Sequence, residues 1–276
     1  MSQVRPSIAD KRRTFHQLHE TGCFIIPNPW DVGSARYLQG LGFKALATTS
    51  SGFAWSHGHA DNTMSRDRVL EHLAGLVEAT DLPINADFES GFAADPDGVG
   101  ESVRLAVDSG VAGLSIEDST GDAASPLYAL DTAVARIRAA RQAIDKSGGD
   151  TLLVGRCECF LWGRPDLALA IERLKAYANA GADCLYAPGI RSAEQIASLV
   201  QGVAPKPVNL LVGGASDLTL QQIAALGVRR ISVGGALARS AWGGFMRAAK
   251  LLAQQGKFDG FADAAPGKEL DGFFRR

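Results

Sequence analysis

Eight short apolar runs punctuate this chain, and the stretches between them restrict its fold more than any other feature. The runs are residues 23–27 (CFIIP), 44–50 (KALATTS), 83–88 (PINADF), 112–117 (AGLSIE), 152–158 (LLVGRCE), 183–188 (DCLYAP), 207–212 (PVNLLV) and 230–234 (RISVG). Continuously apolar runs of this length read as strands buried on both faces, as in a parallel sheet. Between them, residues 69–80, 131–144, 167–180 and 218–226 place apolar side chains at three- and four-residue intervals, as amphipathic helices do. Gly110, Gly181 and Gly227 close helical stretches. Eight strand–helix units within 276 residues predict a (β/α)8 barrel rather than an open doubly wound sheet. No composition shift marks a boundary, so residues 1–276 read as one barrel domain, with 237–276 as a C-terminal helical extension. Its adjacent Phe273 and Phe274 suggest a segment that docks on something, such as another subunit.

Composition narrows the function. Hydrophobic residues make up 46% and the formal charge is -2, which gives no basic surface for nucleic acid or anionic membrane. No run approaches the roughly 20 apolar residues of a membrane span. The opening MSQVRPSIADKRRTF lacks an apolar secretory stretch, and the four cysteines make no disulfide scaffold. The expectation is a cytoplasmic protein with free thiols.

In a barrel the chemistry sits at the C-terminal strand ends. Strand alternation puts Asn85, Asp87 and Glu89 on one side, with Ala86 and Phe88 on the other. Two carboxylates on one face repel each other unless a proton or cation intervenes. One of them caps a helix or meets a lysine, or else the pair belongs to a hard divalent metal site. Glu117 ends the fourth run and is the stronger site candidate, leaving Asp118 as a helix cap or surface residue. Arg156 and Glu158 share a face of the fifth; Arg156 either neutralises Glu158 or presents a bidentate fork to a substrate carboxylate, or does both. Cys157 and Cys159, opposite, read as small packing residues rather than zinc ligands. The Ser51-Gly52 turn exposes backbone N–H groups suited to an oxyanion. His57-x-His59-x-Asp61 resembles a transition-metal spacing, but it lies on a loop with no third histidine at a strand end. His16, His19 and His72 fall in helical stretches as surface or half-buried residues.

These residues together resemble the isocitrate lyase/phosphoenolpyruvate mutase superfamily from about Phe24 to Ala238. The resemblance is carried by Pro27-Asn28-Pro29-Trp30-Asp31, by Ser51-Gly52 with Gly58-x-x-Asp61, and by Asp87-Phe88-Glu89-Ser90-Gly91. Ile116-Glu117-Asp118, Val154-Gly155-Arg156 and Gly181-Ala182-Asp183 followed by Tyr186 complete it. It implies a barrel whose C-terminal helix is exchanged within a homo-oligomer, a dimer or tetramer. It further implies Mg2+, with Mn2+ as a substitute, and a 2-oxo or 2-hydroxy acid passing through a pyruvate-like enolate. Asp87 resembles the direct metal ligand, Glu89 stands for the more usual Asp, and Asp61 and Glu117 resemble the holders of the metal's waters. Ser51, Gly52 and Phe53 resemble the oxoacid cradle and Arg156 its carboxylate-binding residue; Arg156 and Glu117 are the catalytic candidates.

The departures are as informative. Residues 119–126 (STGDAASP) hold no Lys, Cys or His where the lyases carry Lys-Lys-Cys-Gly-His, and the mutase-type Lys of that loop is also absent. Tyr186-Ala187-Pro188 replaces a lyase carboxylate. The expectation is a Mg2+-dependent lyase that decarboxylates or cleaves a small carboxylate. The alternatives are a phosphonopyruvate-type enzyme, with Gly213-Gly214 and Gly234-Gly235 serving phosphate or merely tight turns, and a non-catalytic barrel that binds an acid metabolite.

Overall fold

The computed structural model describes residues 5–275. Its strands are β1 (Phe24–Ile26), β2 (Leu46–Ala47), β3 (Ile84–Asp87), β4 (Gly113–Glu117), β5 (Leu152–Arg156), β6 (Cys184–Tyr186), β7 (Val208–Leu211) and β8 (Arg230–Ser232), each within a predicted run. All pair in parallel, in the order β1-β8-β7-β6-β5-β4-β3-β2. The Ala47 N–H donates to the Pro27 carbonyl at 3.0 Å across the β1–β2 seam. Asn28 reinforces that seam, donating to the Thr48 carbonyl at 2.8 Å while its Oδ1 accepts the Val233 and Gly234 N–H groups at 2.8 and 2.9 Å. The result is the eight-stranded barrel.

The helices are α1 (Ile8–Glu20), α2 (Val32–Gly40), α3 (Ser50–Ser56), α4 (Arg66–Ala79), α5 (Pro96–Asp108), α6 (Leu130–Lys146), α7 (Leu167–Asn179), α8 (Ala193–Val203), α9 (Leu220–Ala225), α10 (Ala236–Gln255) and α11 (Gly267–Phe274). Gly110, Gly181 and Gly227 take φ of 89°, 109° and 88° just past α5, α7 and α9, where a side chain would strain the turn. Phe15 of α1 is fully buried with Ile26, Ala45, Ala47, Ala112 and Leu152, so α1 seals the N-terminal end. Among the described residues, no helix is long and apolar enough to cross a membrane.

The C-terminal segment divides in two. Of the 20 residues of α10 only Ala238 is buried, whereas α11 folds back onto the same chain. The Phe273 ring lies 4.9 Å from that of Tyr37, and a Cβ on Gly40 would meet it at 2.4 Å. Gly40 thus leaves the space that Phe273 fills.

Candidate active site

Register assembles the site. Parallel pairing sets Asp87 beside Ser115, Glu117 beside Arg156, and Arg156 beside Tyr186, all at the C-terminal strand ends. Arg156 is the hub. Its Nη1 donates to Asp87 Oδ1 at 3.0 Å and lies 3.3 Å from Glu117 Oε2; its Nε donates to Glu158 Oε1 at 2.5 Å. The guanidinium carbon stands 5.2 Å from the Tyr186 ring centroid. Asp87 is fixed from the other side, its Oδ2 accepting the Ser50 N–H at 3.1 Å and its own N–H donating to Thr48 Oγ1 at 2.8 Å.

Alternation fails at Glu89, because β3 ends at Asp87. Glu89 instead enters the site from a left-handed turn, φ 49°. Burial pushes its carboxyl up to about 8, and Asp87 and Asp61 push in the same direction. Asp61 stands at the exposed rim; lost hydration raises its carboxyl, the Ser50 hydroxyl opposes, and Asp87 adds to the rise. Glu117 is buried and raised well above the usual range by burial; Arg156 opposes the rise, and Glu158, Asp87 and Glu89 add to it. Burial likewise raises Glu158, against the pull of Arg156. For Arg156, burial works against the charge, yet Glu158, Glu117 and Asp87 together hold it well above its ordinary value.

Five carboxyl groups therefore crowd one guanidinium, three of them in direct contact with it, and they cannot all ionise unless a further cation joins it. Among the described residues, no three His, Cys, Asp or Glu side chains form a group set to hold a metal directly. Magnesium does not require one, since it binds through one or two carboxylates and keeps several waters. Hard oxygen donors, carboxyls outnumbering the one guanidinium, and a Glu89 carboxyl raised to about 8 by burial first and its acidic neighbours second all fit such an ion.

The cradle is more specialised than a turn. Residues 50–56 form α3, capped by Thr49 Oγ1, which accepts the Gly52 N–H at 3.4 Å. The Phe53 N–H bonds the Thr49 carbonyl at 3.1 Å, so of the three cradle residues only the Ser51 N–H has no partner among the described residues. Gly52 is obligatory for packing, since a Cβ would meet Thr49 and Trp30 at 2.8 and 2.9 Å. The Phe53 ring turns away from the carboxylates, stacking on His72 at 3.9 Å and touching His57 at 4.6 Å.

Asp118 corrects the expectation of a cap or surface residue. It points outward from β4, but outward in a barrel means under the helical layer, and it is 2% exposed. Its Oδ2 accepts from Arg173 Nη1 at 2.9 Å and the Tyr177 hydroxyl at 2.6 Å, and its Oδ1 accepts the Glu158 N–H at 2.8 Å. Arg173 also donates to the Tyr128 carbonyl at 2.6 Å, and the Tyr128 N–H returns to the Asp118 carbonyl at 2.9 Å. Asp118 and Tyr128 thus pinch together the base of the loop after β4. Sequence reasoning passed over Arg136 and Arg173, yet each interrupts an apolar stripe, Arg136 beside Ala133, Ile137 and Ala140, Arg173 beside Ala170, Leu174 and Tyr177.

Residues 15–253 match the family model for phosphoenolpyruvate phosphomutase. The chain belongs to this family. That places it in the isocitrate lyase/phosphoenolpyruvate mutase superfamily that its motifs resemble. A crystal structure of a provisionally assigned lyase/mutase from Burkholderia cenocepacia is 48% identical, with a TM-score of 0.94 over 98% of both chains. The oxaloacetate decarboxylase of Paraburkholderia xenovorans is 29% identical across 80% of this chain and 74% of its own. Oxaloacetate acetylhydrolase in complex with its product oxalate superposes with a TM-score of 0.85 at 27% identity, over 95% of this chain and 93% of its own. The relatives include lyases and mutases, and this chain shares their family and barrel.

Proposed function

We propose that the chain is a Mg2+-dependent lyase that removes CO2 or an aldehyde from a small 2-oxo or 2-hydroxy carboxylate. The observation that carries this reading is the group of Asp61, Asp87, Glu89, Glu117 and Glu158 around Arg156, carboxyls that one guanidinium cannot neutralise together and that a further cation would allow to ionise. Bound magnesium would supply the sink for the electron pair left by the departing group. Asp87 and Glu89 are the residues to hold it, with Asp61 and Glu117 ordering its waters. Arg156 has already committed Nε and Nη1 to carboxylates, so it offers a substrate carboxylate its Nη2 rather than a two-pronged fork. The Ser51 N–H, without a partner among the described residues, would serve a second acid oxygen. Burial pushes the Tyr186 hydroxyl up to about 12, so it keeps its proton at neutral pH.

Decarboxylation is favoured by the loop after β4, which carries no Cys, His or Lys between residues 119 and 127 and so leaves protonation to solvent. The phosphonate alternative loses ground at Gly234, whose N–H is taken by Asn28. A homo-oligomer belongs to the same proposal, since Trp242, Phe245 and Met246 of α10 are exposed apolar residues that a second copy would cover. The decisive assay mixes purified protein, Mg2+ and oxaloacetate and follows pyruvate. Turnover above the metal-only rate that chelation abolishes is expected; a rate equal to metal alone across small 2-oxo and 2-hydroxy acids would overturn the reading.

A further inference from the structure

The loop carrying Glu89 from β3 to α5 holds a shape that side chains resist. Glu89, Gly91 and Phe92 take φ of 49°, 78° and 56°, three left-handed residues within four, and L-residues enter that region against steric opposition. The loop's own bonds are few: the Gly91 N–H reaches the Phe88 carbonyl at 2.9 Å, and the Glu89 carbonyl accepts the Glu117 N–H at 3.0 Å. Something outside must hold it.

Arg136 of α6 does so. Its Nη1 donates to the Ala93 and Ala94 carbonyls at 2.6 and 2.5 Å, and its Nη2 donates to the Ser90 carbonyl. Its face lies 4.1 Å from the Tyr128 ring centroid. Arg136 is 1% exposed, has no ion-pair partner among the described residues, and leaves its Nε unsatisfied. A buried cation without a counter-ion is unfavourable, and packing alone would be served by an apolar residue like its neighbours Ala133, Ile137 and Ala140. Arg136 stands against that cost where it grips three carbonyls within five residues after Glu89.

We propose that Arg136 is a positioning residue for the carboxylate site: by clamping Ser90, Ala93 and Ala94 it fixes the left-handed backbone that sets Glu89 beside Asp87 and Asp61. The inference rests on reading that cluster as a divalent-cation site. It follows the general behaviour of residues behind metal ligands, which govern affinity without touching the ion.

Mn2+ serves as probe, without substrate. Its affinity is measured by electron paramagnetic resonance for the wild type, Arg136→Lys and Arg136→Met, alongside amide hydrogen exchange. Arg136→Met is expected to weaken Mn2+ binding by about ten- to a hundredfold, with Arg136→Lys between it and the wild type. Exchange should accelerate in residues 89–94 while β7 and β8 stay as protected as before. Wild-type Mn2+ affinity in a folded variant, unchanged exchange in 89–94, or acceleration spread evenly over the barrel would each overturn the proposal. If Arg136→Met does not fold, Arg136→Lys carries both measurements. A wild type that binds no Mn2+ would remove the cation reading, and the exchange comparison would still decide the clamp.

Discussion

The two ends of the barrel handle buried charge in opposite ways, and β3 serves both, with Asn85 below and Asp87 above. At the N-terminal end Arg230 is 2% exposed and, among the described residues, its hydrogen bonds go to neutral groups. Its Nε donates to Asn209 Oδ1 at 2.9 Å and its Nη1 to Asn85 Oδ1 at 3.2 Å, with His19 Nε2 at 3.5 Å. Burial, then Arg230 itself, pushes His19 down to about 3. The ring stays neutral, and the proton is assigned to Nδ1, 2.8 Å from the Phe15 carbonyl. At the C-terminal end Asp87, Glu117 and Glu158 share Arg156, and burial first, then the neighbouring acids, raises Glu89, Glu117 and Glu158. A charge whose hydrogen bonds are met by fixed amides makes a rigid floor. Acids that one guanidinium cannot neutralise leave the opposite end without such closure, which is what the proposed cation would supply.

The largest effect expected from testing this contrast is at the top. Asp87→Ala should lower kcat/KM on the order of a thousandfold, the upper range for losing one electrostatic element of a site, while thermal stability changes little, because the repulsion relieved is offset by the lost Arg156 pair and Ser50 N–H bond. Retained activity in the oxaloacetate assay would mean that the crowded end is not the working end. At the bottom, Arg230→Met should do the reverse. Leaving the Asn85 and Asn209 oxygens buried without a donor costs about 2–3 kcal/mol, seen as a lower denaturation midpoint, with kcat/KM of the folded fraction changed less than about threefold. A comparable loss of activity would join the two ends functionally.

The smallest effect concerns pH. Glu89 titrates at about 8 in the folded chain against 4.5 ordinarily. Below the lower value both states are protonated; between the two, the unfolded chain releases a proton that the folded chain retains. Without metal, this group therefore lowers stability as pH rises through that window. Glu89→Gln should be more stable than the wild type at pH 8 by about 1–2 kcal/mol, a few degrees in Tm for a domain of this size. The two should converge near pH 4.5, and Mg2+ should narrow the gap at pH 8. Calorimetry in chelator that finds the variant less stable at pH 8 would show Glu89 already compensated.

The strands were legible because a sheet covered on both faces leaves few polar positions to interrupt the run, and β4 is buried at all five residues. The Asp87–Glu117–Arg156 contact followed from strand ends and register. Asp118 was misjudged because alternation says which side a residue takes but not what waits there; Arg173 and Tyr177 come from an element about 50 residues further on. Residues 50–56 read as a turn, since seven residues are too few to show helical periodicity and their helix is set by the Thr49 cap. The floor was not anticipated, because α1 lies outside the strand–helix repeat and Arg230 has no nearby acid to flag it.

The Asp118–Tyr128 pinch separates the loop's ends from its contents. Arg173 and one backbone bond hold the two stems side by side, so segments of different length and chemistry fit this socket without disturbing the strands beneath. The stems thus offer a grafting point: under the proposed function, a donor-bearing segment set between them is expected to alter the reaction while the carboxylate cluster and the fold stay as they are.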